Sequence, residues 1–384
     1  MRILQLISTI GYYGAESVVS GLSRELHAQN HSTVVCTLTR VEKHSDVITE
    51  KATRWGIPAF DIACLGRADW HALRTLRRLI RDQEITLIHS HNYKSNLYAY
   101  LATYRGKLPL VATCHNWTRS TKSLRMYAAL DHFLLRGFDR VVAVSDLVAE
   151  NLRHSRLPAD RISVIPNGIE VRDFEAVPAA LHPKEDDQIA IGAVCRLTPE
   201  KGVPDLLFVA KALMDRHPRV RLVIAGDGPD RHQFETLAGE LGIAAKVKFL
   251  GFQSDMPAIY ASMDIFVLPS WNEGMPMSVL EAMAAAKPIV ASRVGAIPKL
   301  VSNEAGILIE PGDRNALQTA LEKLIADKDL RLAMGKAGRQ SVAATFGIQK
   351  MTEAYLQVYK AVLPQRFAGA SQPSSANLSC SGTK

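Results

Sequence analysis

The sequence predicts an α/β fold built from two doubly wound, parallel-sheet domains that face each other across a cleft. Three observations carry that expectation. Short apolar runs alternate with segments of helical period almost from end to end, which argues parallel sheets with helices on both faces. The alternation breaks once, at Val177–Gln188, where Val-Pro-Ala-Ala-Leu-His-Pro-Lys-Glu-Asp-Asp-Gln is rich in proline and charge and reads as a linker. The chain has 384 residues, long for one core and comfortable for two.

The first series of predicted strands begins at Ile3–Ser8. That run is apolar but short, and it meets Gly11 without a small-residue cleavage site, so it reads as a strand and not as a signal peptide. Further strands are expected at Thr33–Thr39, Leu87–Ser90, Leu110–Cys114, Val141–Ser145 and Ser163–Pro166. Helical periodicity falls between them at Ala15–Gln29, Trp70–Asp82, Lys94–Tyr104 and Ser123–Arg136. After the linker a second series is expected at Ile189–Cys195, Arg221–Ala225, Val247–Gly251, Ile265–Pro269, Pro288–Ala291 and Ile307–Ile309. Helices at Ala316–Ala326, Leu330–Thr345 and Gln349–Val362 close the pattern. The domains are thus expected at residues 1–180 and 186–345, with a final helix at about 346–363. Residues 365–384, rich in Ser, Gly and Ala, are expected to be a disordered tail.

Composition is that of an ordinary soluble globular protein, and no apolar run is long enough to span a bilayer. The five cysteines (36, 64, 114, 195 and 380) form no CxxC pair, which suits reduced thiols in a cytoplasmic protein. The net charge of +8 favours anionic partners: phosphorylated substrates or acidic lipid headgroups. No nucleic-acid-binding motif is visible, so nucleic acid is not an expected partner. His89-Ser90-His91 is the nearest approach to a metal cluster, and no metal is expected there.

The richest stretch is Glu273-Gly274-Met275-Pro276-Met277-Ser278-Val279-Leu280-Glu281. It follows the buried-strand signal Ile265–Pro269 and leads into an alanine-rich helix. Glu273 falls on the strand-to-helix loop and Glu281 about two turns on, with Pro276 suited to the first helical position. The free N–H groups of that first turn favour an anion or the oxygens of a polar ligand. Loops at the carboxyl ends of strands are where open α/β sheets bind ligands. Spacing alone would read as a capped surface helix with two solvated acids; the surroundings reverse that. Arg196 and Lys201 share the loop Cys195-Arg196-Leu197-Thr198-Pro199-Glu200-Lys201-Gly202. A guanidinium fork and an ammonium point charge suit a diphosphate and can stabilise a leaving phosphate without a metal. An exposed basic loop is the plainer alternative.

Weaker signals follow other strands. Gly11-Tyr12-Tyr13-Gly14 opens the first helix, where glycine lets backbone approach a phosphate, although a simple loop glycine explains it as well. His115, in Thr113-Cys114-His115-Asn116-Trp117, could bond a substrate hydroxyl or carbonyl, but a lone strand-end histidine is more often structural. Asn167-Gly168 and Gly226-Asp227-Gly228-Pro229 read first as turns, and Gly251-Phe252 as a strand end able to present backbone to a flat base. Trp70–Arg81 is a basic amphipathic helix with Arg74, Arg78 and Arg81 on one face; a solvated surface helix is the default, and contact with anionic lipid the sharper alternative.

As a set, Gly14-Ala15-Glu16, Cys114-His115-Asn116, Val144-Ser145-Asp146, Pro166-Asn167-Gly168-Ile169, Arg196 with Lys201-Gly202, Gly226–Pro229, Gly251-Phe252 and Glu273 through Glu281 resemble the retaining glycosyltransferases of family 4, in that family's order. The family often has Gly-Gly before Ala/Thr-Glu, whereas Tyr13 precedes Gly14 here. The resemblance implies the GT-B architecture: two Rossmann-like domains, with the last helix crossing back to the first, acceptor-side domain. It implies a nucleotide-diphosphate sugar held by the second domain, UDP being the expected nucleotide and GDP or ADP the alternatives. By the same resemblance Glu281 would bind ribose hydroxyls, and Glu273 the sugar hydroxyls. Backbone of Gly274, Met275, Pro276 and Met277 would assist. Arg196 and Lys201 would neutralise the diphosphate, Gly14 would touch the distal phosphate, and His115 would bond the donor sugar. Asn167, Gly251 and Phe252 complete the expected donor site. No cofactor or metal is implied. The acceptor would be a glycan or a lipid-linked sugar in polysaccharide, lipopolysaccharide or glycolipid synthesis, met in the cytoplasm or at the inner face of its membrane. A nucleotide-sugar epimerase on the same fold and a non-catalytic sugar-nucleotide binder are the competing readings. An NAD oxidoreductase is disfavoured by the missing G-x-G-x-x-G.

Overall fold

A computed structural model describes residues 1–9, 14–39, 47–66, 69–103, 108–115, 122–175 and 187–363. The expected linker at Val177–Gln188 and the tail fall wholly or largely outside those residues, as do Gly11, Tyr12, Tyr13, Asn116 and Trp117. The first domain is a seven-stranded sheet of β1 (Arg2–Ser8), β2 (Ser32–Thr39), β3 (Ala59–Ala63), β4 (Leu87–Ser90), β5 (Leu110–Cys114), β6 (Arg140–Ala143) and β7 (Ile162–Val164), ordered β3-β2-β1-β4-β5-β6-β7. The second is a six-stranded sheet of β8 (Ile189–Val194), β9 (Val220–Ala225), β10 (Val247–Gly251), β11 (Ile265–Leu268), β12 (Ile289–Ser292) and β13 (Gly306–Ile309), ordered β10-β9-β8-β11-β12-β13. Every ladder is parallel. Helices cover both faces, so the central strands are apolar on both sides: Ile3, Leu4, Leu6, Ile7, Ile265, Phe266 and Val267 are inaccessible to solvent.

In each sheet the winding reverses once, between β1 and β4 and between β8 and β11. Chains leaving neighbouring strands there diverge to opposite faces and open a crevice. β3 and the helix Val47–Arg54 had no clear periodic signal. Ala-Phe-Asp-Ile-Ala is an edge strand with Asp61 exposed, and edge strands need no continuous apolar run.

The closing helix, Ile348–Val362, crosses back and packs on the first domain. Ile348 lies against Gly21 of the opening helix Gly14–Ala28. Ile169 donates to Phe346 and accepts from Ile348, at 2.9 and 3.0 Å, as the chain returns. Tyr355 and Tyr359 are fully buried under the first sheet.

One glycine governs how the second switch point is assembled. Gly202 has φ +69°, and a Cβ there would stand 2.0 Å from the carbonyl oxygen of Pro269. Gly202→Ala combines left-handed strain with a backbone clash. It is expected to cost roughly 2–4 kcal/mol of stability. The check is the urea midpoint, and an unchanged midpoint would contradict the close approach.

Candidate active site

The residues after β8 and β11 are locked together before any ligand arrives. Trp271 N–H donates to the Glu200 carbonyl at 2.8 Å, and the short turn Pro199–Lys201 ends on Gly202 against Pro269. This delivers the Lys201 ammonium to Glu273, with Nζ 2.8 Å from Oε1. The Glu273 side chain is only 7% exposed and that of Lys201 21%. Arg196 lies on the same loop, its Nη2 3.4 Å from Glu200 Oε1, with the guanidinium still partly open to solvent.

Glu281 projects from the short helix Met277–Ala284. Pro276 precedes that helix as its cap and is not its first residue, so Glu281 lies in the second helical turn. Tyr260, fully buried, donates its hydroxyl to Glu281 Oε2 at 2.9 Å. Burial pushes the Glu281 carboxyl above its usual range; bonds from Tyr260 and Ser17 and the nearby Lys51 charge pull it back. Ser17 belongs to the first domain, so this carboxylate already reaches across the cleft.

On the opposite wall β4 and β5 end in three histidines. His89 bridges Tyr359 Oη and Thr113 Oγ1, both at 2.7 Å, and Thr113 Oγ1 lies 2.9 Å from Tyr355 Oη. His91 Nε2 bonds Gln5 Oε1 at 2.8 Å, and its ring stacks on His115 with centroids 5.8 Å apart. The closing helix is thereby tied by hydroxyls into the floor of the site. Among the described residues, buried His91 Nδ1 and His115 Nε2 have no hydrogen-bond partner. Burial pushes His89 down to about 3 and His115 to about 4, and holds His91 well below 6.5.

These depressed values make an acid-stability prediction. The unfolded chain takes up histidine protons near pH 6.5 while the folded chain does not, so stability is full above that pH and declines as pH falls toward 4. The fall in urea midpoint from about pH 6.5 to 4.5 should correspond to up to three protons per unfolding event. His115→Asn should remove about one of them. A midpoint flat across that range would contradict the neutral cluster.

Between the two walls lies one cleft of about 1450 Å³. Gly14, His115 and Asn167 line it from the first domain, and Arg196, Lys201, Phe252, Glu273, Met275, Pro276, Met277 and Glu281 from the second. Gly251 and Gly274 lie one residue behind the lining. The Gly251 carbonyl accepts from Gly226 N–H at 2.8 Å, and that of Gly274 from Ala296 N–H at 2.9 Å. Asn167 spans the cleft, donating Nδ2 to the Met275 carbonyl at 3.1 Å. Residues that sequence reasoning did not assign to the site include Tyr260, Ser17, Glu200, Lys94 and Asp131. Tyr260 lies on the helix Met256–Ala261, beyond the loop that follows β10, and carried no local signal. Among the described residues no group of three His, Cys, Asp or Glu side chains is placed to hold a metal ion, and no helix is long and apolar enough to cross a membrane.

Comparison with known proteins decides the family. Residues 12–173 match the model of Glycosyltransferase Family 4, and residues 178–341 that of Glycosyl transferases group 1. A D-inositol 3-phosphate glycosyltransferase of Corynebacterium jeikeium is 30% identical over 317 residues, 75% of each chain. This chain belongs to the family 4 glycosyltransferases. The enzyme is also 27% identical over 310 residues to the Escherichia coli UDP-Gal:alpha-D-GlcNAc-diphosphoundecaprenol alpha-1,3-galactosyltransferase, covering 76% of this chain and 79% of that one. Among solved structures, Anabaena Alr3699/HepE in complex with UDP-glucose superposes with a TM-score of 0.80 at 20% identity, over 94% of the glycosyltransferase and 100% of the other chain. That likeness establishes the shared GT-B fold.

Proposed function

We propose that this glycosyltransferase moves a sugar from a UDP-linked donor to an acceptor hydroxyl, with retention at the anomeric carbon and without a metal. The observation that carries the proposal is the meeting of Arg196, Lys201, Glu273 and Glu281 in one cleft, with Lys201 and Glu273 in direct contact. The activities of the relatives, one on inositol phosphate and one using UDP-Gal, support it, as does the UDP-glucose bound to the structural neighbour.

In this reading Glu281 accepts from the ribose hydroxyls, and Phe252 with the backbone at Gly251 faces the base. Arg196 and Lys201 meet the diphosphate, aided by Gly14 and by free backbone N–H groups at the start of the helix Met277–Ala284. Glu273, with the backbone at Gly274 and Met275, orients the sugar. His115 offers its unpartnered nitrogen to a sugar hydroxyl. As the glycosidic bond breaks, negative charge grows on the diphosphate where two cations already stand, so little reorganisation is needed. The acceptor hydroxyl approaches from the face that the phosphate leaves, and a phosphate oxygen takes its proton. Glu273 is paired with Lys201 and serves as no glycosidase-type nucleophile.

The acceptor wall is the first domain, reached from the cytoplasmic face of the membrane. The helix Trp70–Asp82 exposes Trp70, Arg74, Arg78 and Arg81 and suits that approach to an anionic surface. A thermal-shift screen of UDP-, GDP- and ADP-sugars tests the donor. UDP-sugars at a hundred times their Kd should add about 2.7 kcal/mol. A shift with GDP- or ADP-sugars alone would overturn the choice of base, and an inverted product anomer would overturn retention.

A further inference from the structure

The first-domain side of the cleft is more apolar than recognition of a bare sugar requires. The helix Lys122–Leu135 exposes Met126 (58%), Leu130 (46%) and Phe133 (65%), spaced i, i+4, i+7 along one stripe. A solvated helix would carry polar residues there. Met126 and Leu130 also line the cleft, so the stripe borders the site. Leu97, on the neighbouring helix Tyr93–Thr103, extends the wall inward. The two helices are fastened by Asn96, whose Nδ2 donates to Asp131 Oδ1 at 2.7 Å and whose Oδ1 accepts from Ser90 at 2.6 Å. The trough they form therefore has a fixed floor.

A cation lines the same cleft. Lys94 lines the cleft; its ammonium contacts the Cys64 carbonyl at 3.4 Å and makes no ion pair among the described residues. Residues 1–180 hold 23 Lys and Arg against 17 Asp and Glu, so this lobe favours an anionic head.

Resting on the glycosyltransferase reading above, we infer that the acceptor is a sugar joined through phosphate to a long hydrocarbon chain, with the phosphate at Lys94 and the chain along Met126, Leu130 and Phe133. The head supplies charge to an unpaired ammonium, and the tail covers a stripe otherwise left in water.

The probes are n-butyl, n-octyl and n-dodecyl phosphate, each below its critical micelle concentration, titrated calorimetrically into the full-length protein. Complete burial would tighten binding about fourfold per methylene, and a half-open trough about twofold. Leu130→Glu and Phe133→Glu, both at exposed positions, should flatten the chain-length dependence. Lys94→Ala should weaken all three probes by a similar factor and leave that dependence intact. Affinities that do not change with chain length, or a dependence that survives both glutamates, overturn the inference. UDP-induced thermal shift in the same samples separates the two readings. With UDP binding intact and the series flat, only the lipid-linked acceptor falls; with no UDP binding, the donor reading itself falls.

Discussion

Lys201→Ala should lower kcat by about 10²–10³-fold, the loss typical when one fixed donor to a developing oxyanion is removed. The ammonium sits in the cleft beside Arg196, where the leaving diphosphate gathers charge. Its effect should fall on the chemical step more than on donor binding, because the interaction strengthens as the bond breaks. Removing it also leaves Glu273 without its cation in a largely buried position. For a fully buried pair that would cost about 3–5 kcal/mol. With Lys201 one-fifth exposed and the cleft open to water, a smaller loss is expected, and a domain of this size should stay folded. Lys201→Arg is the informative companion, since it keeps the charge but cannot place a compact point charge on the same spot. Steady-state kinetics at saturating donor, with thermal unfolding of each variant, measure both effects. Wild-type turnover in Lys201→Ala would remove the cationic pair from the mechanism.

Glu281→Ala should act on the other parameter. Loss of a charged acceptor facing two ribose hydroxyls removes two hydrogen bonds worth about 1.5–3 kcal/mol each. Donor KM should therefore rise by about a hundredfold or more, with a smaller change in kcat. The variant should fold, because the Tyr260 hydroxyl keeps an acceptor in the Ser278 carbonyl at 3.1 Å. The raised carboxyl adds a pH signature. As pH falls, Glu281 protonates earlier than an ordinary glutamate, and its protonated form no longer accepts from both hydroxyls. Donor KM should climb on the acid side in the wild type, and Glu281→Gln should lose that part of the profile. Equal donor KM in wild type and Glu281→Ala would contradict the ribose assignment.

The parts legible in the sequence were those set by the immediate neighbourhood in the chain. Buried parallel strands announce themselves as apolar runs, so β1, β2, β8 and β11 fell close to where they were expected. Arg196, Lys201 and Glu273 stood out because each lies on a loop after such a run, and Glu281 because it lies on the helix that the Glu273 loop enters; the switch-point geometry then brings them together. Tyr260 and Ser17 were invisible because their roles depend on partners supplied by a different element, in one case a different domain. The same holds for Tyr355 and Tyr359. Their hydroxyls matter only once the last helix has crossed back to His89 and Thr113. Pro276 was misplaced by one position. Its φ suits a first helical residue, but ψ of 120° keeps it extended.

That return crossing bears on how the two lobes can move. The polypeptide passes between them twice: once between residues 175 and 187, and again where Phe346 and Gly347 run beside Ile169. A body hung from a single cord can twist freely; one hung from two pins can only swing. Admission of donor and release of product should accordingly proceed by a restrained swing of one lobe against the other. The surface pair Lys299 and Asp146, which joins the lobes, would have to part in such a swing.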